Sequence, residues 1–196
     1  MTTTAIPTAA AGPGADATAA TPTERLLTAS LAVAPLLYLA ADATYAARGW
    51  DDATAGVLHV LGAIAYGFVV LRIAAWLPAR SRLAAAILLC GLIGLAGNVA
   101  YGFDTIHTSY GDVQLVDRSG AANLIKPLGL FFPISFVLIA AALAALRHRA
   151  NAALVLAAMV AWPVAHIGNI APLAVACNVL LVVALGSLVR RPDPRT

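Results

Sequence analysis

Six stretches of mostly apolar residues run along this chain, nearly all of them close to the roughly 20 residues a helix needs to cross the hydrocarbon core of a bilayer. They read as Leu26–Ala47, Ala53–Leu77, Leu83–Phe103, Leu124–Leu146, Ala152–Ile167 and Pro172–Val189. The last two come from one continuous apolar run that is far too long for a single span. Gly168, Asn169 and Pro172 supply the turn chemistry that folds it into a tight hairpin. A β-barrel would need short segments of alternating polarity, and the sequence has none. With 61% hydrophobic and only 11% charged residues, the composition lies far from that of a soluble domain. The expected fold is all-α: a polytopic membrane protein in which residues 24–196 form a bundle of six transmembrane helices.

Residues 1–23 are Ala, Thr, Pro and Gly with little else, a composition that buries too little apolar surface to offset the entropy of ordering. A disordered cytoplasmic tail is expected there. It does not read as a cleaved signal, because Arg25 at the very edge of the first apolar run is the one basic residue ahead of it and that run is long enough to span.

Charge sets the direction. With the N-terminus inside, Arg25, Arg72, Arg80, Arg82, Arg147, Arg149, Arg190, Arg191 and Arg195 fall on the cytoplasmic side, and only Arg48, Arg118 and Lys126 on the other. This asymmetry obeys the positive-inside rule and predicts a multi-pass protein of the plasma (inner) membrane with both termini cytoplasmic. Arg72 sits just within the second span, where its stem is expected to snorkel to the inner headgroups. Six of the nine acidic residues fall on the outer side, which is consequently acidic. The net charge of +3 is therefore a topology signal and gives no support to nucleic-acid binding.

Five of the six segments carry a strongly polar side chain at nearly the same depth, one to two turns from the outer end: Asp42, His59, Asn98, His166 with Asn169, and Asn178. Ionisable and amide groups rarely face lipid, so several at one level imply helices converging on a shared polar pocket. Pro35, Tyr38, Asp42 and Tyr45 recur at spacings of three and four, as do His59, Gly62 and Tyr66, then Gly94, Asn98 and Tyr101, then Trp162, His166 and Asn169. Each stripe mixes small residues that allow close helix approach with aromatic walls and polar groups. The long connection from Asp104 to Asn123 adds Asp104, His107, Tyr110, Asp112 and Asp117 and is placed to cover the mouth. The candidate pocket is Asp42, His59, Asn98, Tyr101, Asp104, His107, His166 and Asn169. Set against this, amides in membrane helices commonly only join helices, at about 0.6 kcal/mol each, which suits Asn98, Asn169 and Asn178.

Asp42, His59 and His166 are the candidate ligands for a divalent metal, although no HExxH or paired-His spacing accompanies them. Bis-histidine haem ligation by His59 and His166 would require the two rings to face each other. No GxSxG, Walker or dinucleotide fingerprint is present, and Ser135 has no identifiable base. Cys90 and Cys177 lie within apolar helices as small hydrophobes, with no disulfide expected. The likeness of Gly97-Asn98-Val99-Ala100 to Gly168-Asn169-Ile170-Ala171 is short enough to be coincidence.

Three function classes follow. The first is a pocket on the outer side that binds a small molecule, lipid headgroup or cation. The second is an outer-leaflet enzyme, such as a metal-dependent hydrolase, acting on a lipid or lipid-linked substrate. The third, ranked last because the inner halves are so apolar, is a transporter or channel. Membrane lipids are the expected partners in every case.

Overall fold

The computed structural model describes residues 20–190, and the expected tail over 1–19 lies outside them, as do Arg191 and Arg195. Within that range the chain is all-helical. The six long helices are α1 (Pro22–Arg48), α2 (Ala53–Trp76), α3 (Arg82–Thr108), α4 (Ile125–Ala145), α5 (Arg149–Ile167) and α6 (Ala171–Gly186). Five of them are long and apolar enough to cross a membrane, and α6 is shorter. At 16 residues α6 rises about 24 Å, less than the hydrocarbon thickness of about 30 Å. Its predicted end at Val189 is corrected to Gly186, after which the chain turns.

Local chemistry accounts for most helix ends. α1 starts earlier than its apolar run because Thr21 and Glu24 form a reciprocal capping box ahead of Pro22, so Pro22 and Thr23 are helical rather than tail. Asp52 caps α2 and Ser81 caps α3 through side-chain bonds to Ala55 N and Ala84 N. α5 closes with Asn169 in the left-handed region (φ 52°), a conformation that Asn tolerates well. There Ile170 N donates to Ala165 O at 2.7 Å, and the hairpin expected from Gly168, Asn169 and Pro172 is formed.

Each helix packs against its neighbours in sequence, and α6 returns to α1, so the six close into a ring. Two glycines let α3 and α4 touch backbone to backbone: a Cβ at Gly94 would fall on Phe132 N, and one at Gly97 on Gly129 N. Gly62 likewise leaves room for the Tyr38 ring. Large side chains fill the middle, with Tyr38, Tyr66, Phe132 and Phe136 in edge and stacked contacts at centroid distances of 4.8–5.6 Å. Leu36, Leu61, Ile64, Leu89, Leu92, Val160 and Val183 instead face outward. A bundle with an apolar exterior and buried polar groups such as Asp42, His59, Asn98 and Asn178 in the middle of its helices is the arrangement hydrocarbon demands, and the chain is a membrane-embedded helical protein. Arg72 departs from expectation. Its side chain is buried, with the guanidinium 5.4 Å from the Trp76 ring centroid, where snorkelling was predicted.

Candidate functional site

Most members of the stripes read from the sequence turn inward, whereas Tyr101 and His166 are half-buried and Asn169, past the end of α5, is exposed. Pro35, Tyr38, Asp42 and Tyr45 are all buried on α1, as are His59, Gly62 and Tyr66 on α2. Asn98 and Trp162 do the same on α3 and α5. They assemble two adjoining polar clusters rather than one.

In the first cluster, Tyr38 donates its hydroxyl hydrogen to Asn98 Oδ1 at 3.2 Å, and His59 Nε2 lies 3.2 Å from the same oxygen and 3.3 Å from the tyrosine hydroxyl. The amide is oriented by its other end, because Asn98 Nδ2 donates to Gly94 O at 2.8 Å. With Oδ1 able only to accept, the hydrogen of His59 belongs on Nε2. His59 Nδ1 then remains buried without a hydrogen-bond partner. The ring is sealed from solvent and packed on Tyr38 and Tyr101 at 4.6 and 5.3 Å.

The second cluster joins α1, α5 and α6. Asn178 Nδ2 donates to Asp42 Oδ2 at 2.6 Å, and His166 Nε2 stands 3.4 Å from the same oxygen. His166 Nδ1 contacts Trp162 O at 3.1 Å, and a carbonyl only accepts, so that nitrogen carries hydrogen. The reverse ring orientation would set carbon atoms against both oxygens. Trp162 stacks on the imidazole at 4.1 Å, and Trp50 meets it edge-on at 5.8 Å. Asp42 is fully buried, with its second oxygen unpartnered.

Beside these clusters lies a cavity of about 410 Å³ between α3, α4, α5 and the connection after α3. Asn98, Tyr101, Trp162, His166 and Asn169 contribute to its walls, with Gly129 on α4 opposite. Gln114, Asp117 and Lys126 also line it, and Lys126 Nζ and Asp117 Oδ1 sit 3.4 Å apart on exposed side chains.

Of the predicted pocket residues, Asn98, Tyr101, His166 and Asn169 therefore line the cavity, and Asp42 stands directly behind His166. His59 does not line it but sits behind Asn98 and Tyr101. Asp104 and His107 are elsewhere, because α3 runs on to Thr108 and carries both as helical residues where a loop was expected. His107 pairs with Asp112 at 3.6 Å on exposed side chains. Asp104 accepts from Leu115 N and Val116 N at 2.7 and 3.0 Å, pinning the 3₁₀ turn Leu115–Asp117 that contributes to the cavity wall. Asp104→Ala should release that turn, with a local loss of about 1–2 kcal/mol seen as faster hydrogen exchange at Leu115 and Val116. Unchanged exchange at both amides would show that the carboxylate does not hold the turn.

The metal candidates do not converge either. Among the described residues no group of three His, Cys, Asp or Glu side chains is placed to hold a metal ion, and His59 bonds Tyr38 and Asn98 rather than joining Asp42 and His166. Sequence reasoning left Tyr38, Asn178, Gln114, Lys126 and Gly129 out of the pocket. Asn178 was visible as a member of the polar layer and Tyr38 as a member of the α1 stripe, whereas nothing in the local pattern marks the other three.

No family model, curated protein or solved structure matches the chain.

Proposed function

We propose that this protein is a binding protein of the plasma (inner) membrane, with both termini cytoplasmic, whose cavity opens on the outer side and holds a small molecule, a lipid headgroup or a cation. The observation that carries this reading is the 410 Å³ cavity itself, walled by Asn98, Tyr101, Trp162, His166 and Asn169 at the helix ends remote from most of the arginines. Its volume lies in the range of small-molecule sites, and its lining mixes apolar surface with a few convergent polar groups.

Binding is favoured over catalysis by the engagement of the one titratable ring in the wall. An imidazole backed by a carboxylate is a familiar acid–base arrangement, but His166 directs Nδ1 to Trp162 O, and its Nε2 is buried 3.4 Å from Asp42 Oδ2 without a hydrogen bond, where a substrate does not reach it. Transport is disfavoured by the interior beneath the polar clusters, where Tyr66, Phe136, Leu31, Ile73 and Leu143 are buried together in one apolar core.

Membrane-impermeant thiol labelling tests sidedness and access together, in a background lacking Cys90 and Cys177. A cysteine replacing Ser109 or Gly129 should react from outside intact cells, and one replacing Ser81 should not. Reaction of Ser81→Cys from outside would invert the topology, and an inert Gly129→Cys beside a reactive Ser109→Cys would mean the cavity is closed to that side.

A further inference from the structure

The cavity is flanked by lipid-facing surface. Leu130 on α4 and Ile167 on α5 both line it, yet they are 39% and 73% exposed on the outside of the bundle. Between them Gly129 presents no side chain, and a Cβ there would meet nothing within 4 Å. The space between α4 and α5 is thus open sideways, toward the hydrocarbon.

The outer face of α5 continues from that opening. A shallow apolar groove of about 540 Å³ runs along Ala153, Leu156, Ala157, Val160, Ala161 and Val164 to Leu173. Val160, Val164 and Ile167 follow one another at helical spacing, so the groove and the cavity share one stripe of α5. From Ile167 at the cavity to Ala153 at the far end of the groove the helix rises about 21 Å, more than the roughly 15 Å of hydrocarbon in one leaflet, so a chain whose head sits in the cavity has groove beside it from Val164 down to the level of Ala157. The dimensions are those of one acyl chain lying beside α5 with its head at the membrane surface.

The polar half limits the head. Lys126 is already matched by Asp117, and His166 by Asp42, so the wall offers no unopposed cation of the kind that phosphate recognition uses. What it offers are the amides of Gln114 and Asn169, the Tyr101 ring, and Trp162, which is 7% exposed with its Nε1 buried and unpartnered. Amides and aromatic faces without net charge suit hydroxyl groups and the C–H faces of a sugar ring.

We infer that the cavity takes the uncharged, hydroxyl-rich head of a membrane lipid while one of its chains lies along the outer face of α5, an inference that rests on the binding reading above. The test uses the full-length protein in phosphatidylcholine nanodiscs doped with either a monoglycosyl diacylglycerol or phosphatidylglycerol, with retained lipid counted by native mass spectrometry. The glycosyl lipid should be enriched roughly tenfold over its bulk share. Gly129→Leu, which fills the head cavity, and Val160→Trp, which obstructs the groove from an exposed position, should each abolish that enrichment. Methyl glucoside, a head without a tail, should not displace the lipid at millimolar concentration.

Equal or greater enrichment of phosphatidylglycerol would overturn the assignment of the head, and displacement by methyl glucoside would overturn that of the tail. Retention of a water-soluble compound that is lost in Gly129→Leu would sink the lipid assignment and leave the binding reading standing. Retention of no compound in a Gly129-dependent way would remove both.

Discussion

Gly94→Leu is expected to be among the most damaging single changes in the bundle, lowering stability by about 3 kcal/mol in detergent-based unfolding. A side chain at this position falls directly on the α4 backbone at Phe131 and Phe132, and backbone cannot rotate aside as a flexible side chain can. α3 and α4 must then separate, which also disturbs the Gly97–Gly129 contact one turn on and the cavity beside it. Gly186→Leu is the control, since a Cβ there meets nothing within 4 Å. Equal stability of the two variants would mean that close α3–α4 contact does not hold the bundle together.

Asn178→Leu should have a comparable effect for a different reason. Asn178 donates the hydrogen bond that Asp42 accepts, and removing it leaves a fully buried carboxyl group without that bond, with only His166 Nε2 beside it at 3.4 Å. Stranding a buried group of this kind costs about 3 kcal/mol. The diagnostic result is coupling. With Asp42→Leu already in place, Asn178→Leu should cost less by roughly 1–3 kcal/mol, because nothing remains to strand. Strict additivity of the two substitutions would show that the pair does not interact.

What could be read from the sequence follows from how far each interaction reaches along the chain. The helices were legible because membrane thickness writes itself into apolar runs, and the inward stripe of α1 because Tyr38, Asp42 and Tyr45 recur at the helical period. The end of α3 was not. Beyond Phe103 the residues Asp104-Thr105-Ile106-His107-Thr108 lose their apolar character, so hydropathy stops while backbone hydrogen bonding continues for another turn. That misplaced Asp104 and His107 into a covering loop. The true role of Asp104, holding two amides eleven and twelve residues ahead, left no periodic trace.

Partner choice within the polar layer was equally hidden. Depth alone placed Asp42, His59, His166 and Asn178 at one level, but whether Asp42 meets His59 or His166 depends on the rotation of six helices about their axes. The ring closure of α6 onto α1 decides it by bringing Asn178 across 136 residues of sequence to Asp42. The cavity lies further still from local pattern, since it is enclosed by α3, α4 and α5 beside the point where α3 and α4 meet at Gly97 and Gly129.

Whether this cavity holds a ligand is tested most directly by comparing what the wild-type protein and Gly129→Leu carry through gentle purification. Because Gly129 projects into open space, leucine should fill the cavity without disturbing the bundle, and equal unfolding midpoints would establish that. Mass spectrometry should then find a compound in near-stoichiometric amount on the wild type and absent from the variant. Identical compound profiles from two equally stable proteins would contradict the account.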